Sequence, residues 1–127
     1  REYAPPGVLA GAMRYHGVAP IVSSLYREKY IEAVAHGQIE SYSAGLMFTR
    51  AEGIVLSPHA MYTVKEVIEE ALRVKEKGTD DTILFTVTPA INAESSPYDS
   101  LLDGVMHDEK PEEASLKKSL GRFIGRS

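Results

Sequence analysis

Thr82-Ile-Leu-Phe-Thr-Val-Thr88, with the helix-spaced run that precedes it, decides how this chain is read. The seven residues are all apolar or β-branched. They lack the polar alternation of a half-wet strand and suit a strand covered on both faces. Just upstream, Val64, Val67, Ile68, Ala71, Leu72 and Lys75 fall on one face of a helix, and Glu66, Glu69, Glu70, Arg73 and Glu76 fall on the other. Ser57-Pro58 offers an N-cap and a first-turn proline. Thr63-Val-Lys-Glu66 offers a second possible start as a capping box, and Gly78 supplies the stop. A long amphipathic helix feeding a doubly covered strand predicts parallel strands in an α/β layer.

Outward from there the signals are shorter. Pro5, Pro6, Gly7, Gly11 and Gly17 predict an irregular arm over residues 1–19. Pro20 suits a first helical position, and Ile21, Val22, Leu25 and Tyr26 predict a helix over 20–28. Tyr30-Ile-Glu-Ala-Val-Ala35, closed by His36-Gly37, predicts a strand. Tyr42, Leu46, Met47, Phe48 and Ala51 predict a second helix from Ile39 to about Arg50, with Gly53 following. Ile54-Val-Leu56 is expected to be a buried connection, Ala93 to Pro97 a loop, and Tyr98 to Met106 a helix. In the tail, Glu112 and Glu113 precede Lys117, Lys118 and Arg122, the order that a helix dipole favours. Leu116, Leu120, Phe123 and Ile124 give that segment a narrow apolar stripe for docking. Two strands make a thin sheet, so its completion by another segment or chain is expected.

Composition narrows the function. With 127 residues the chain is one domain or a piece of a larger one. It has 14 basic and 18 acidic side chains, a net charge of −4, which argues against a nucleic-acid platform. No apolar run approaches the ~20 residues of a membrane span. The lack of cysteine excludes disulfides, thiolate catalysis and zinc–thiolate sites, and is compatible with a cytoplasmic setting. The opening Arg1-Glu-Tyr-Ala-Pro-Pro-Gly-Val8 has no signal-peptide pattern and reads like a cut inside a longer protein or a processed terminus.

The histidines at 16, 36, 59 and 107 show no metal-ligand spacing, and no HExxH, GxSxG or Gly-rich phosphate loop is present. Glu69-Glu70 beside Arg73 reads as a solvated helix face. Two segments have odd local chemistry. Ala10-Gly-Ala-Met-Arg-Tyr-His-Gly-Val-Ala-Pro20 sets small residues around a polar cluster just before a helix, where backbone groups can approach a ligand closely. Arg50-Ala-Glu-Gly-Ile-Val55 puts Glu52 at a helix C-terminus, where the dipole disfavours a carboxylate.

These two segments, followed by the Ile-Leu-Phe strand, resemble the C-terminal part of the tryptophan synthase β chain, and the Arg-Tyr-His-Gly spelling is closest to its divergent second class. The resemblance runs from about Pro5 to Asp99, without a gap from Glu52 to Tyr98-Asp99. It implies a C-terminal part of a pyridoxal-phosphate (PLP) domain over 1–99 and a helical extension over 100–127. The implied fold class is α/β, a three-layer α/β/α part of a fold-type II PLP enzyme. The implied activity is a lyase that joins L-serine and indole into L-tryptophan, with PLP as electron sink.

In that family the Schiff-base lysine and the phosphate cradle lie in the N-terminal portion. The resemblance therefore implies a complementary N-terminal PLP-binding segment or chain as partner, a homo-oligomer, and no activity in the isolated chain. Glu52 matches the glutamate close to the cofactor ring. Thr88 stands where the family usually has a serine facing the pyridine nitrogen. Arg14 stands where the main class has an acidic residue over the serine substrate. The backbone carbonyls of Met13, Tyr15 and Gly17 match positions that bind a monovalent cation in the main class. The chain departs from the family at Pro89-Ala-Ile91, in place of Gly-x-Gly, at His59 in place of Glu, and at Tyr62 in place of His. Those departures support an alternative, a non-catalytic remnant or binding and oligomerisation module that keeps the α/β fold.

Overall fold

The computed structural model describes Leu9 and residues 17–88, 96–108 and 113–114. Four helices follow one another: α1 (Pro20–Arg27), α2 (Gln38–Glu52), α3 (Pro58–Lys77) and α4 (Ser96–Leu102). Pro20 and Pro58 each open a helix where an N–H is not needed. Gly53 and Gly78 close α2 and α3 in the left-handed region, at φ 71° and 67°. Thr63 lies inside α3, so the start at Pro58 prevails over the second one.

α2 and α3 pack directly on each other, and α4 rests on α2. Tyr42, Leu56, Ala60, Met61, Val64 and Met106 form the buried core, with Phe48, Ile68, Phe85 and Tyr98 around it. Tyr42 meets Tyr62 and Tyr98 edge-on, at 6.4 and 6.3 Å between ring centres, and Phe48 meets Phe85 likewise at 6.3 Å. The start of α2 is satisfied from two sides. Glu40 accepts from the Gly37 N–H at 2.7 Å, and Asp108 accepts from the Ile39 N–H at 3.1 Å. Buried Gln38 accepts from the Leu9 N–H at 3.0 Å and donates to the His107 carbonyl.

An ion network binds His36 and the first turn of α2 to α3. His36 Nε2 lies 2.7 Å from Glu66, and its Nδ1 lies 3.8 Å from Glu40. Lys65 pairs with Glu40 and Glu69, and Arg73 pairs with Glu66 and Glu70. Hydrogen bonds from Arg73 and then His36 hold the Glu66 carboxyl below its ordinary range. Lys65 does the same for Glu69.

The expected α/β sheet is not formed among the described residues, which are helical or without regular secondary structure. Residues 82–88 alternate as a strand does: Ile83, Phe85 and Val87 are half-buried, while Leu84 is 96% exposed. A strand needs a neighbour to pair its backbone groups, and within the described residues this segment has none beyond its end at Thr88. Residues 30–35 are likewise irregular and exposed. The 54–56 connection is buried only at Leu56, with Ile54 and Val55 exposed. α1 buries no residue, so Ile21, Val22 and Leu25 present a bare apolar face. The expected helix over Tyr98–Met106 is shorter and earlier, because Gly104 turns left-handed at φ 68°. Of the expected C-terminal helix, Glu113 and Ala114 are helical, and its apolar stripe lies outside the described residues.

Candidate functional site

The corner that matters is built by the short connection between α2 and α3. Glu52 is the last residue of α2 and is exposed. Gly53 then reverses the chain, donating its N–H to the Thr49 carbonyl at 2.9 Å. The carboxylate of Glu52 sits at the negative end of the α2 dipole and has no hydrogen-bond or ion-pair partner among the described residues.

Leu56, three residues after the reversal, is held by Tyr98 of α4. The Leu56 N–H donates to the Tyr98 hydroxyl at 3.1 Å, and that hydroxyl donates to the Leu56 carbonyl at 2.7 Å. Burial raises the Tyr98 phenol above its ordinary pKa, against weaker opposing contacts from Thr49 and Leu56.

Ser57 is buried and joins this connection to the end of the extended segment. Its N–H and its hydroxyl both point to the Thr88 carbonyl, at 3.0 and 2.9 Å. His59 Nε2 lies 3.1 Å from the same hydroxyl. Ser57 therefore occupies the N-cap position of α3 without capping it by its side chain. Its hydroxyl serves a residue 31 positions away.

Of the residues singled out in the sequence, Glu52 and Thr88 thus belong to two segments tied together at Ser57. Gly17 is exposed, with no atom of the described residues within 4 Å of where a Cβ would stand. Met13, Arg14 and Tyr15 lie outside the described residues. Among the described residues no cluster of three or more histidines and carboxylates could hold a metal ion. No described helix is long and apolar enough to cross a membrane. Sequence reasoning missed Tyr98 as a clamp and Ser57 as a tie. The spacing of Glu52 to Thr88 carried no signal for either, because both bonds are long-range.

A second feature is an open cleft of about 780 Å³ between residues 34–36, α3 and residues 83–86. His36 and Glu66 line one part of it, and Val34, Ile83 and Phe85 line another. Tyr62 also lines it, with a buried hydroxyl that has no hydrogen-bond partner among the described residues. Burial first, and Asp108 second, push the Tyr62 phenol up.

No family model matches the chain. Individual proteins do. Over 107 residues it is 41% identical to tryptophan synthase beta chain 2 of Aquifex aeolicus, covering 84% of this chain and 25% of that one. The chain is similar in sequence to tryptophan synthase β chains. To the tryptophan synthase beta chain of Thermococcus onnurineus it is 39% identical over 111 residues, 87% of this chain and 25% of that one. To tryptophan synthase beta chain 2 of Pyrococcus abyssi it is 36% identical over 117 residues, 92% of this chain and 26% of that one. The chain spans about a quarter of the length of the curated relatives it matches.

Proposed function

We propose that this chain is the C-terminal portion of a PLP-dependent tryptophan synthase β-like lyase. It acts with a complementary N-terminal segment or chain that brings the cofactor's lysine and phosphate cradle. The observation that carries this reading is 36–41% identity to proteins named tryptophan synthase β chain over most of this chain and about a quarter of theirs. The bare face of α1 and the unpaired extended segment 82–88 support it, since both need material that the described residues do not supply.

The residues present fit PLP at the corner around Ser57. Thr88 is half-buried; its carbonyl is engaged twice, while its hydroxyl makes no hydrogen bond among the described residues. That hydroxyl can donate to a pyridine nitrogen. Bound there, PLP would supply the electron sink for replacing the serine hydroxyl by indole. A neutral hydroxyl donor there would not protonate the ring nitrogen and would moderate the sink. Glu52 offers a carboxylate without a partner among the described residues for the neighbourhood of the ring. Arg14 is proposed to face the serine substrate. The carbonyls of Met13, Tyr15 and Gly17 are proposed to hold a monovalent cation. A cytoplasmic homo-oligomer without nucleic acid or membrane partners completes the reading.

The alternative, a non-catalytic remnant or binding and oligomerisation module, draws on Pro89-Ala-Ile91 in place of the family's Gly-x-Gly and on the Schiff-base lysine expected outside this chain. The first test is association. The remaining three-quarters of the Aquifex aeolicus relative, expressed separately, is mixed with this chain, and amide exchange is followed over 82–88. Slowed exchange there, with co-elution, is the expected result. Unchanged exchange and separate elution would contradict the proposal.

A further inference from the structure

We infer that Ser57 and His59 are positioning residues that aim the Thr88 hydroxyl. The inference rests on the proposed role of Thr88 toward the cofactor ring. The Ser57 hydroxyl has one proton and two polar neighbours, the Thr88 carbonyl at 2.9 Å and His59 Nε2 at 3.1 Å. A carbonyl can only accept. The serine proton therefore goes to Thr88, and His59 Nε2 must carry the proton it donates to Ser57. The direction of the relay is fixed: His59 Nε2–H to Ser57 Oγ, and Ser57 Oγ–H to the Thr88 oxygen.

Its effect is geometric. Thr88 precedes Pro89, which restricts its backbone to the extended region, and the grip on its carbonyl selects an orientation within that range. The Ser57 N–H and hydroxyl grip it together, at 3.0 and 2.9 Å. Two donors on one carbonyl fix its plane as well as its distance. The Thr88 side chain projects from the same residue and is aimed by that plane. Ser57 is 6% exposed, so water does not readily replace its hydroxyl. His59 stands where the family has a glutamate, which could accept the serine proton and turn the relay away from Thr88. In this chain the imidazole N–H makes the serine a committed donor.

Two readouts test this. In the full chain alone, in mildly alkaline buffer, nitrogen-15 NMR of the His59 ring should show the proton on Nε2. Ser57→Ala should speed exchange of the residue-57 amide about fivefold, as expected for a weakened two-donor grip. A proton on Nδ1 instead would overturn the relay. The second readout is the PLP absorption spectrum of the chain joined to its complementary segment. Thr88→Val should shift it. Ser57→Ala should shift it in the same direction by less, Ser57→Thr should restore it, and Ser57→Ala should add nothing in the Thr88→Val background. His59→Ala, which leaves both Thr88 donors in place, should give a smaller shift that His59→Gln reverses. A silent Thr88→Val would overturn the cofactor role of Thr88 itself. A shift with Thr88→Val but none with Ser57→Ala or His59→Ala would overturn the positioning role alone.

Discussion

Gly45 of α2 lies so close to Met61 of α3 that a methyl built on Gly45 would stand 1.8 Å from the Met61 sulfur and 3.1 Å from its Cγ. Met61 is fully buried, so its side chain has little free space into which to swing. Gly45→Ala should gain about 1 kcal/mol of helix propensity and lose about 1–3 kcal/mol to overpacking. The expected outcome is a lower urea midpoint at unchanged slope. A raised midpoint would show that α2 and α3 are not in this contact.

Tyr98→Phe removes both bonds to Leu56 and strands a buried backbone pair. A loss of about 1–3 kcal/mol is expected, with faster exchange of the Leu56 amide. The phenol also predicts a pH dependence. Its folded pKa is raised by burial, so its contribution is complete below the ordinary tyrosine value and is lost as pH rises through the raised folded value. Alkaline unfolding should therefore be shallower in Tyr98→Phe than in the parent. An identical alkaline limb in both would remove the phenol from the account.

Glu66 has the opposite sign. Arg73 and His36 depress its pKa, so its contribution is present above the ordinary glutamate value and is lost as pH falls through the lowered folded value. Glu66→Gln should flatten the acid limb of a stability profile below the ordinary glutamate range. The pairs are exposed enough that salt should weaken the effect, and a profile taken at high salt checks this.

Lys29 closes α1 with φ at +61°, while its N–H donates to the Tyr26 carbonyl at 3.1 Å and the Tyr30 N–H donates to the Leu25 carbonyl at 2.9 Å. That bond pair is the Schellman ending, at which glycine is favoured. Lys29→Gly relieves a left-handed cost of roughly 1–2 kcal/mol, partly offset by the freer unfolded chain. Amide exchange within α1 should slow. Faster exchange would mean that lysine makes a contact outweighing the strain.

The helices were legible because their signals are local. Pro20, the Ser57-Pro58 pair, Gly53 and Gly78 mark ends within a residue or two, and the apolar positions of α3 repeat at helical spacing. Burial alternates along 82–88 as the strand reading expects, but no pairing was legible, because a ladder is a property of two segments. The residue read as the cap of α3 shows the same limit. Ser57 stands at the N-cap position, yet its hydroxyl goes to Thr88, a partner 31 residues on that no spacing rule identifies. Glu52 was conspicuous on physical grounds, as a carboxylate at the wrong end of a dipole. Thr88 was not, and entered only through the family resemblance. Met13, Arg14 and Tyr15 entered the same way and lie outside the described residues.

The most direct measurement is tryptophan formation from L-serine and indole by this chain mixed with PLP and the separately expressed remainder of the Aquifex aeolicus relative. Neither part alone should give product, and the mixture should give steady product that Glu52→Ala in this chain strongly depresses. No product from a mixture that demonstrably assembles, or full activity in the Glu52→Ala mixture, would contradict the proposed function.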